Sequence, residues 1–350
     1  MIQNANVREI EPIAVPEEVK GRLPLPSKTE AHVNRGQEHI RRILSGEDRK
    51  LLLVVGPCSV HDPEAALEYA RRLKELAGDV SDVLLPVMRV YFEKPRTVTG
   101  WKGLIYDPDM DGSLNIEKGL VIARELLLKI NNLGVLAGTE FLDPIVPQYI
   151  DDLVSWAAVG ARTVESQTHR QMASGLSMPV GFKNTTSGDV KIATHAMKAA
   201  RSPQRFLGIN ESGRVSTVST KGNRWGHVIL RGGTAGTNFS SGDIDRAERS
   251  LREAELPERL MVDCSHANSA KQCSNQAAAF RSVLDQFADR RSLVGAMLES
   301  NLSEGQQPFA PSREFDRRGL DPQLSVTDAC IGWDETCELI RAAHGVLCRA

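Results

Sequence analysis

The strongest constraint in this sequence is an alternation. Short apolar runs are separated, almost throughout, by longer amphipathic stretches with helical spacing. Nine runs are candidate strands: 51–57, 83–92, 135–141, 161–165, 179–184, 205–210, 227–233, 260–266 and 293–300. The stretches between them carry helix boundaries. Asp62-Pro63 opens PEAALEYARRLKELAGD with a capping residue and a proline in the first turn; NIEKGLVIARELLLKINNLG closes on Gly134; DPIVPQYIDDLVSWAAVG opens again on Asp-Pro. Strands alternating with helices predict a parallel sheet. Nine strands are one too many for a closed barrel, but RFLGIN-ESG-RVSTVST is two β-rich runs about a glycine turn, a hairpin inserted at about 205–220. The eight that remain predict a (β/α)8 TIM barrel. A doubly wound sheet fits less well, because no G-x-G-x-x-G follows any strand.

The first fifty residues differ from the rest. EIEPIAVPEEVKGRLPLP is rich in proline and charge and lacks periodicity. It reads as an extended arm, followed by a short helix near 29–46. Two regions result: 1–50, an arm suited to oligomer contacts and regulation, and 51–350, the catalytic barrel.

Bulk properties exclude several classes. Hydrophobic content of 41% and charged content of 25% are those of a globular protein. The apolar runs are too short to span a membrane. MIQNANVREIEP has neither a basic nor an apolar leader segment, which predicts a cytoplasmic protein. There the cysteines at 58, 264, 273, 330, 337 and 348, which show no framework spacing, are expected to be free thiols. A formal net charge of −2 argues against nucleic-acid binding, so any anion recognition must come from local clusters of cations.

Such clusters occur at the strand ends. In chain order the runs end in or near Cys58, then Arg89 with Lys94 and Arg96, then Glu140, Arg162, Lys183, Arg231, His266 and Glu299. Any one of these reads equally as a solvated strand end. Together, on a barrel whose active site lies at the carboxyl ends of its strands, they would converge on one mouth. Six are cations, and gathering six cations needs anions to neutralise them, such as phosphates and a carboxylate. The alternative is pairing with acids on the outer helices. Cys58, His266, Glu299 and a further acid, Asp328, form a mixed donor set suited to one divalent ion: Mn²⁺, Fe²⁺, Co²⁺ or Zn²⁺. Cys58 alone reads as readily as a packed small hydrophobe.

Six segments resemble the signatures of the 3-deoxy-D-arabino-heptulosonate 7-phosphate (DAHP) synthase family, in its short bacterial and fungal group. They are GPCSVHDPEAALEYARRL, MRVYFEKPRTVTGWKGLIYDPDMDGS, GARTVESQTHRQMASGLSMPVGFKN, HVILRGG, DCSHANSAKQ and SVTDACIGW. The resemblance implies a metal-dependent condensation of phosphoenolpyruvate with erythrose 4-phosphate, at the head of aromatic amino-acid synthesis. It implies Cys58, His266, Glu299 and Asp328 as metal ligands. Arg89, Lys94, Arg162, Lys183 and Arg231, with Ala161 and Glu140 nearby, fall to phosphoenolpyruvate, and Lys94, Arg96 and Thr97 to the aldose phosphate. For the proton steps of such a condensation, Lys94 is the candidate to protonate the new alkoxide, and Glu140, Lys183 and metal-bound water are the candidates to handle the proton of the added water. A homodimer or homotetramer follows from the same likeness, as does an aromatic amino-acid effector near Pro144, Gln148, Met172, Leu176, Ser177, Phe206, Gly208 and Val218, with Gly208 favouring tyrosine. Two departures stand out: Thr185 after Lys-Asn, and an Arg-rich stretch within 305–324. A sibling synthase using another aldose phosphate is disfavoured by KPRT, and a catalytically dead effector-binding paralogue by the complete ligand set.

Overall fold

The computed structural model describes residues 2–98, 100–312 and 319–349. Eight strands close into a parallel barrel in chain order: β1 (Leu51–Gly56), β2 (Leu84–Arg89), β3 (Leu136–Glu140), β4 (Trp156–Val159), β5 (Val180–Lys183), β8 (Gly226–Leu230), β9 (Leu260–Asp263) and β10 (Leu293–Glu299), which pairs back with β1. β6 (Arg205–Ile209) and β7 (Val215–Ser219) form the separate antiparallel hairpin expected from the sequence.

The helices in chain order are α1 (Pro16–Arg22), α2 (Ser27–Ser45), α3 (Pro63–Val80), α4 (Ile116–Asn132), α5 (Pro147–Ile150), α6 (Gln167–Gly175), α7 (Val190–Arg201), α8 (Ser241–Glu253), α9 (Gln276–Phe287) and α10 (Trp333–Leu347). Asp62 caps α3 by accepting from the N–H groups of Glu64 and Ala65 at 3.0 and 2.9 Å. No helix among the described residues is long and apolar enough to cross a membrane.

Two details differ from the sequence reading. The fourth barrel strand is 156–159, not 161–165. The helix anticipated across 143–160 stops after one turn, and Ser155 N–H enters the sheet by donating to Ala137 O at 2.8 Å. Ala157 and Ala158 carry no β-branched signal, yet they fit between two neighbouring strands. Residues 161–165 form the turn before α6, so Arg162 lies beyond the strand rather than on it. At the N-terminus the arm contains α1, and the following helix has 19 residues. Ile40, Ile43 and Leu44 of α2 pack on the barrel's lower interior.

Strand parity organises both the core and the rim. On β1, Leu52 and Val54 join an interior cluster with Val87, Leu136, Trp156, Ala158, Ile229, Met261 and Met297, while Leu51, Leu53 and Val55 face the helices. Following the inward parity to the carboxyl ends of six strands gives Arg89, Glu140, Lys183, Arg231, Asp263 and Glu299. The polar rim is thus the last layer of the barrel's own packing. Lower down, Trp156 Nε1 donates to His227 Nε2 at 3.1 Å, and burial holds His227 neutral by pulling its pKa to about 3.

Candidate active site

At the carboxyl rim a cavity of about 100 Å³ is lined by Arg89, Lys94, Arg96, Glu140, Ala161, Arg162, Lys183, Arg231, His266 and Asp328, joined by Tyr91, Pro95, Thr186 and Thr327. Ten residues singled out from the sequence therefore share one hollow. Cys58 and Glu299 are buried behind it, and Thr97 is exposed on the loop after β2.

The electrostatics are tightly knit. Arg89 is fully buried; its Nη2 donates to Glu299 Oε1 at 2.9 Å, its Nε donates to Pro57 O at 3.3 Å, and its guanidinium lies 4.0 Å above the Tyr91 ring. Burial alone would lower the Arg89 pKa, but Tyr91, Glu299 and Asp263 outweigh it and hold the cation more firmly than usual. Lys183 Nζ sits 3.0 Å from Glu140 Oε2 and 3.6 Å from Asp263 Oδ2. Burial opposes its charge too, and Glu140 leads the groups that reverse the effect. For Glu140, burial raises the pKa while Lys183 and Lys94 pull harder the other way, so it stays a carboxylate. Arg162 Nη1 donates to Pro95 O at 3.0 Å, tying the turn after β4 to the loop after β2. Arg231 is placed by Asn184, whose Oδ1 accepts from the Arg231 N–H at 2.8 Å.

Donor atoms of Cys58, Glu299 and Asp328 lie within 4.8 Å of one another. His266 stands just outside that set, with Nε2 3.8 Å from Glu299 Oε1 and Nδ1 3.0 Å from Asp263 Oδ2. Its backbone is left-handed (φ 58°), a conformation that costs a non-glycine residue and persists only where its surroundings hold it. One sulfur, two carboxylates and an adjacent imidazole fit a borderline divalent ion. Burial, with Glu299 next, pushes the Cys58 thiol up to about 11, and Lys94 Nζ donates to its Sγ at 3.0 Å. Coordination needs the thiolate, so metal uptake at this set releases a proton. Cys330 is close by: the Cys58 N–H donates to its Sγ at 3.4 Å. All six cysteines are free thiols.

Sequence reasoning missed Tyr91 and Asp263. Both lie on the inward parity of their strands, and that register was the available signal. Tyr91 brings a buried hydroxyl with no hydrogen-bond partner to the cavity. Thr185 is buried, and its Oγ1 bonds with Ser187 Oγ at 2.7 Å and accepts from the Asp189 N–H at 3.1 Å, so the departure from the family pattern builds a side-chain-braced turn. The Arg-rich part of the second departure, 313–318, lies outside the described residues.

None of the residues implied for an effector lines this cavity. Phe206 pairs with Val218 and Gly208 with Ser216 across the hairpin. Ser174 and Thr220 hydroxyls meet at 2.8 Å, joining α6, which carries Met172, to the hairpin's base; Leu176 and Ser177 follow directly. Glu17 N–H donates to Glu211 O at 2.9 Å, joining α1 to the hairpin's turn. Pro144 is exposed and Gln148 half-buried beside and within α5.

Fold and site together define a (β/α)8 barrel whose carboxyl rim holds a cation-lined hollow beside a mixed sulfur, oxygen and nitrogen donor set. The sequence signature described as the DAHP synthetase I family matches residues 25–341. The chain belongs to that family and is a DAHP synthase, an enzyme of the first step in aromatic biosynthesis. It is similar to the Tyr-sensitive phospho-2-dehydro-3-deoxyheptonate aldolase of Escherichia coli K12, at 53% identity over 98% of this chain and 95% of that one. The Phe-sensitive enzyme of the same organism is 47% identical over 96% and 94%. The solved phospho-2-dehydro-3-deoxyheptonate aldolase of Francisella tularensis SCHU S4 superposes with a TM-score of 0.94, at 43% identity and 98% coverage of both chains.

Proposed function

We propose that the enzyme condenses phosphoenolpyruvate with D-erythrose 4-phosphate and water, giving DAHP and phosphate, with one divalent ion held by Cys58, His266, Glu299 and Asp328. The observation that carries this reading is the gathering of six cations, Arg89, Lys94, Arg96, Arg162, Lys183 and Arg231, around one small cavity. Two phosphorylated substrates repel each other, and a fixed cation shell removes that barrier while orienting both. Arg89, Lys183, Arg231 and Arg162, with the backbone at Ala161, would take phosphoenolpyruvate. Lys94, Arg96 and Thr97 would take the aldose phosphate. An ion at the thiol-bearing donor set supplies a Lewis acid for the aldehyde oxygen.

The proton steps follow from the charges. Lys94, half-buried between Cys58 and the cavity, would protonate the alkoxide formed as carbon 3 of phosphoenolpyruvate attacks the aldehyde. Glu140, an ionised carboxylate, would take a proton from the water that adds at carbon 2, while Lys183 keeps its own charge. The test is to incubate the enzyme with phosphoenolpyruvate and a panel of aldose phosphates, following phosphate release. Erythrose 4-phosphate should turn over at least about tenfold faster than any five-carbon aldose phosphate; equal or better use of a five-carbon sugar would overturn the assignment in favour of a sibling synthase.

We infer that tyrosine is the effector. Gly208 supports this: a Cβ at that position would fall 2.9 Å from Val218 Cγ2, on the side of the hairpin that carries Phe206. Omitting that carbon keeps space for a phenol. The exposed Leu207 and Val215 on the hairpin's other face suit burial in a homodimer or homotetramer. Tyrosine should therefore inhibit, and Gly208→Ser should weaken inhibition by tyrosine about tenfold while sparing uninhibited turnover. Inhibition by phenylalanine or tryptophan but not tyrosine would refute the inference.

A further inference from the structure

We propose that the enzyme carries a second metal site, for a borderline divalent ion of the Zn²⁺ or Co²⁺ kind, formed by Asp82, His344 and Cys348 at the end of the barrel opposite the active site. Asp82 lies in the turn between α3 and β2, at the amino end of the sheet. His344 and Cys348 lie four residues apart at the carboxyl end of α10, so their side chains stand one above the other on one helix face. The turn and the helix end are joined across 262 residues of chain.

The three donor atoms stand at separations that suit a coordination set. His344 Nε2 is 2.9 Å from Asp82 Oδ1, Cys348 Sγ is 3.4 Å from the same Nε2, and Sγ is 3.6 Å from Asp82 Oδ2. In a tetrahedral zinc site, bonds of about 2.0 Å to nitrogen and oxygen and about 2.3 Å to sulfur put nitrogen and oxygen about 3.3 Å apart and sulfur about 3.5 Å from each. Each separation is already within roughly 0.4 Å of that arrangement. The donors also differ in kind: one thiol, one imidazole and one carboxylate, the mixture that borderline ions prefer to magnesium or calcium.

A catalytic thiol is the competing reading, and the contacts exclude it. In a nucleophile–base–acid relay the thiol meets one ring nitrogen and the carboxylate the other, so that a proton can pass along the ring. Here thiol and carboxylate both face Nε2. Three lone-pair donors converge on one point, which suits a shared cation and not a relay. Asp82 and Cys348 are exposed and His344 half-buried, so an ion can enter from solvent and keep a water as its fourth ligand. A bound ion would fasten the last helix to the α3–β2 turn.

Cobalt reports on this directly, because a thiolate ligand gives a sulfur-to-cobalt charge-transfer band and a four-coordinate site gives intense visible bands. Full-length enzyme, stripped of metal and kept in a phosphine reductant, is titrated with Co²⁺ alongside Cys348→Ser, His344→Gln and, as a control on the same helix, Cys337→Ser. Cys348→Ser and His344→Gln should each bind one equivalent fewer than the parent and lose the matching part of the charge-transfer band. Cys337→Ser should match the parent, and DAHP formation should be unchanged in Cys348→Ser. Zn²⁺ should also raise the unfolding temperature of the parent more than that of Cys348→Ser. The same cobalt stoichiometry and the same sulfur-to-cobalt absorbance in Cys348→Ser and the parent would overturn the proposal, whatever ion the active site holds.

Discussion

Cys58→Ala is expected to lower the rate of DAHP formation by at least about a thousandfold, roughly 4 kcal/mol of transition-state stabilisation, while the barrel stays folded. The thiol is fully buried at the end of β1, held there by the Gly56-Pro57 turn, and it offers the single sulfur of the rim donor set. Removing it subtracts one ligand and one of the two Cys58 acceptors of Lys94, whose ammonium donates to Sγ at 3.0 Å and to Cys58 O at 2.9 Å. Two effects then follow from one side chain: weaker metal binding, and a Lys94 held beside the cavity by the backbone carbonyl without the thiol. Packing losses are small, because a thiol is the only group removed. Cys58→Ser, close to the same size but a poorer ligand for soft and borderline ions, should lose nearly as much activity. Steady-state kinetics and metal content of both variants check this; a variant within tenfold of the parent in kcat would show that the thiol only packs.

Arg89 carries the second large effect. Its guanidinium is buried between Glu299, Tyr91 and the cavity, so two roles meet in one group. Arg89→Met should cost about 3–5 kcal/mol of stability, because Glu299 is left buried without its counter-charge. Arg89→Lys separates the roles. It keeps the positive charge against Glu299 but loses the planar fork that matches phosphate or carboxylate. Its melting temperature should fall much less than that of Arg89→Met, while kcat/KM for phosphoenolpyruvate falls about a hundredfold or more, mainly through KM. A KM for phosphoenolpyruvate within twofold of the parent would remove Arg89 from the substrate clamp and leave it a purely structural cation.

The barrel was legible because its strands obey two simple rules. Apolar runs such as LLLVVG are the signature of strands buried on both faces, and the cap at Asp62 and the stop at Gly134 mark helix boundaries. The rim was legible for a related reason. A charged residue two positions beyond the last inward apolar residue, as in Val87 then Arg89 or Met297 then Glu299, has nowhere to go but the mouth. β4 escaped because Trp-Ala-Ala-Val has too few branched residues to stand out from a helix. Asp263 escaped because His266, three residues on, is the more conspicuous ligand type, although Asp263 Oδ2 lies 3.0 Å from the ring's Nδ1 and Ser265 Oγ, which bonds to that Nδ1 at 2.7 Å, is itself held by Asp263 Oδ1. Tyr91, at the end of an apolar run, has nothing in the sequence to set it apart from a core aromatic, and its unpartnered hydroxyl emerges only with the fold. The Asp82–His344–Cys348 set could not be read at all, since only folding brings residue 82 to the end of α10.

The claim that the rest depends on is that Cys58, His266, Glu299 and Asp328 hold one ion without which the cation-lined cavity does not turn over. The most direct measurement is to strip the enzyme with a chelator, record metal content and phosphoenolpyruvate consumption on the same sample, and add Mn²⁺ back in steps. The account predicts loss of turnover on stripping and recovery in proportion to one equivalent bound at the rim, with no recovery in Cys58→Ala. Undiminished turnover from enzyme shown to be metal-free would contradict it.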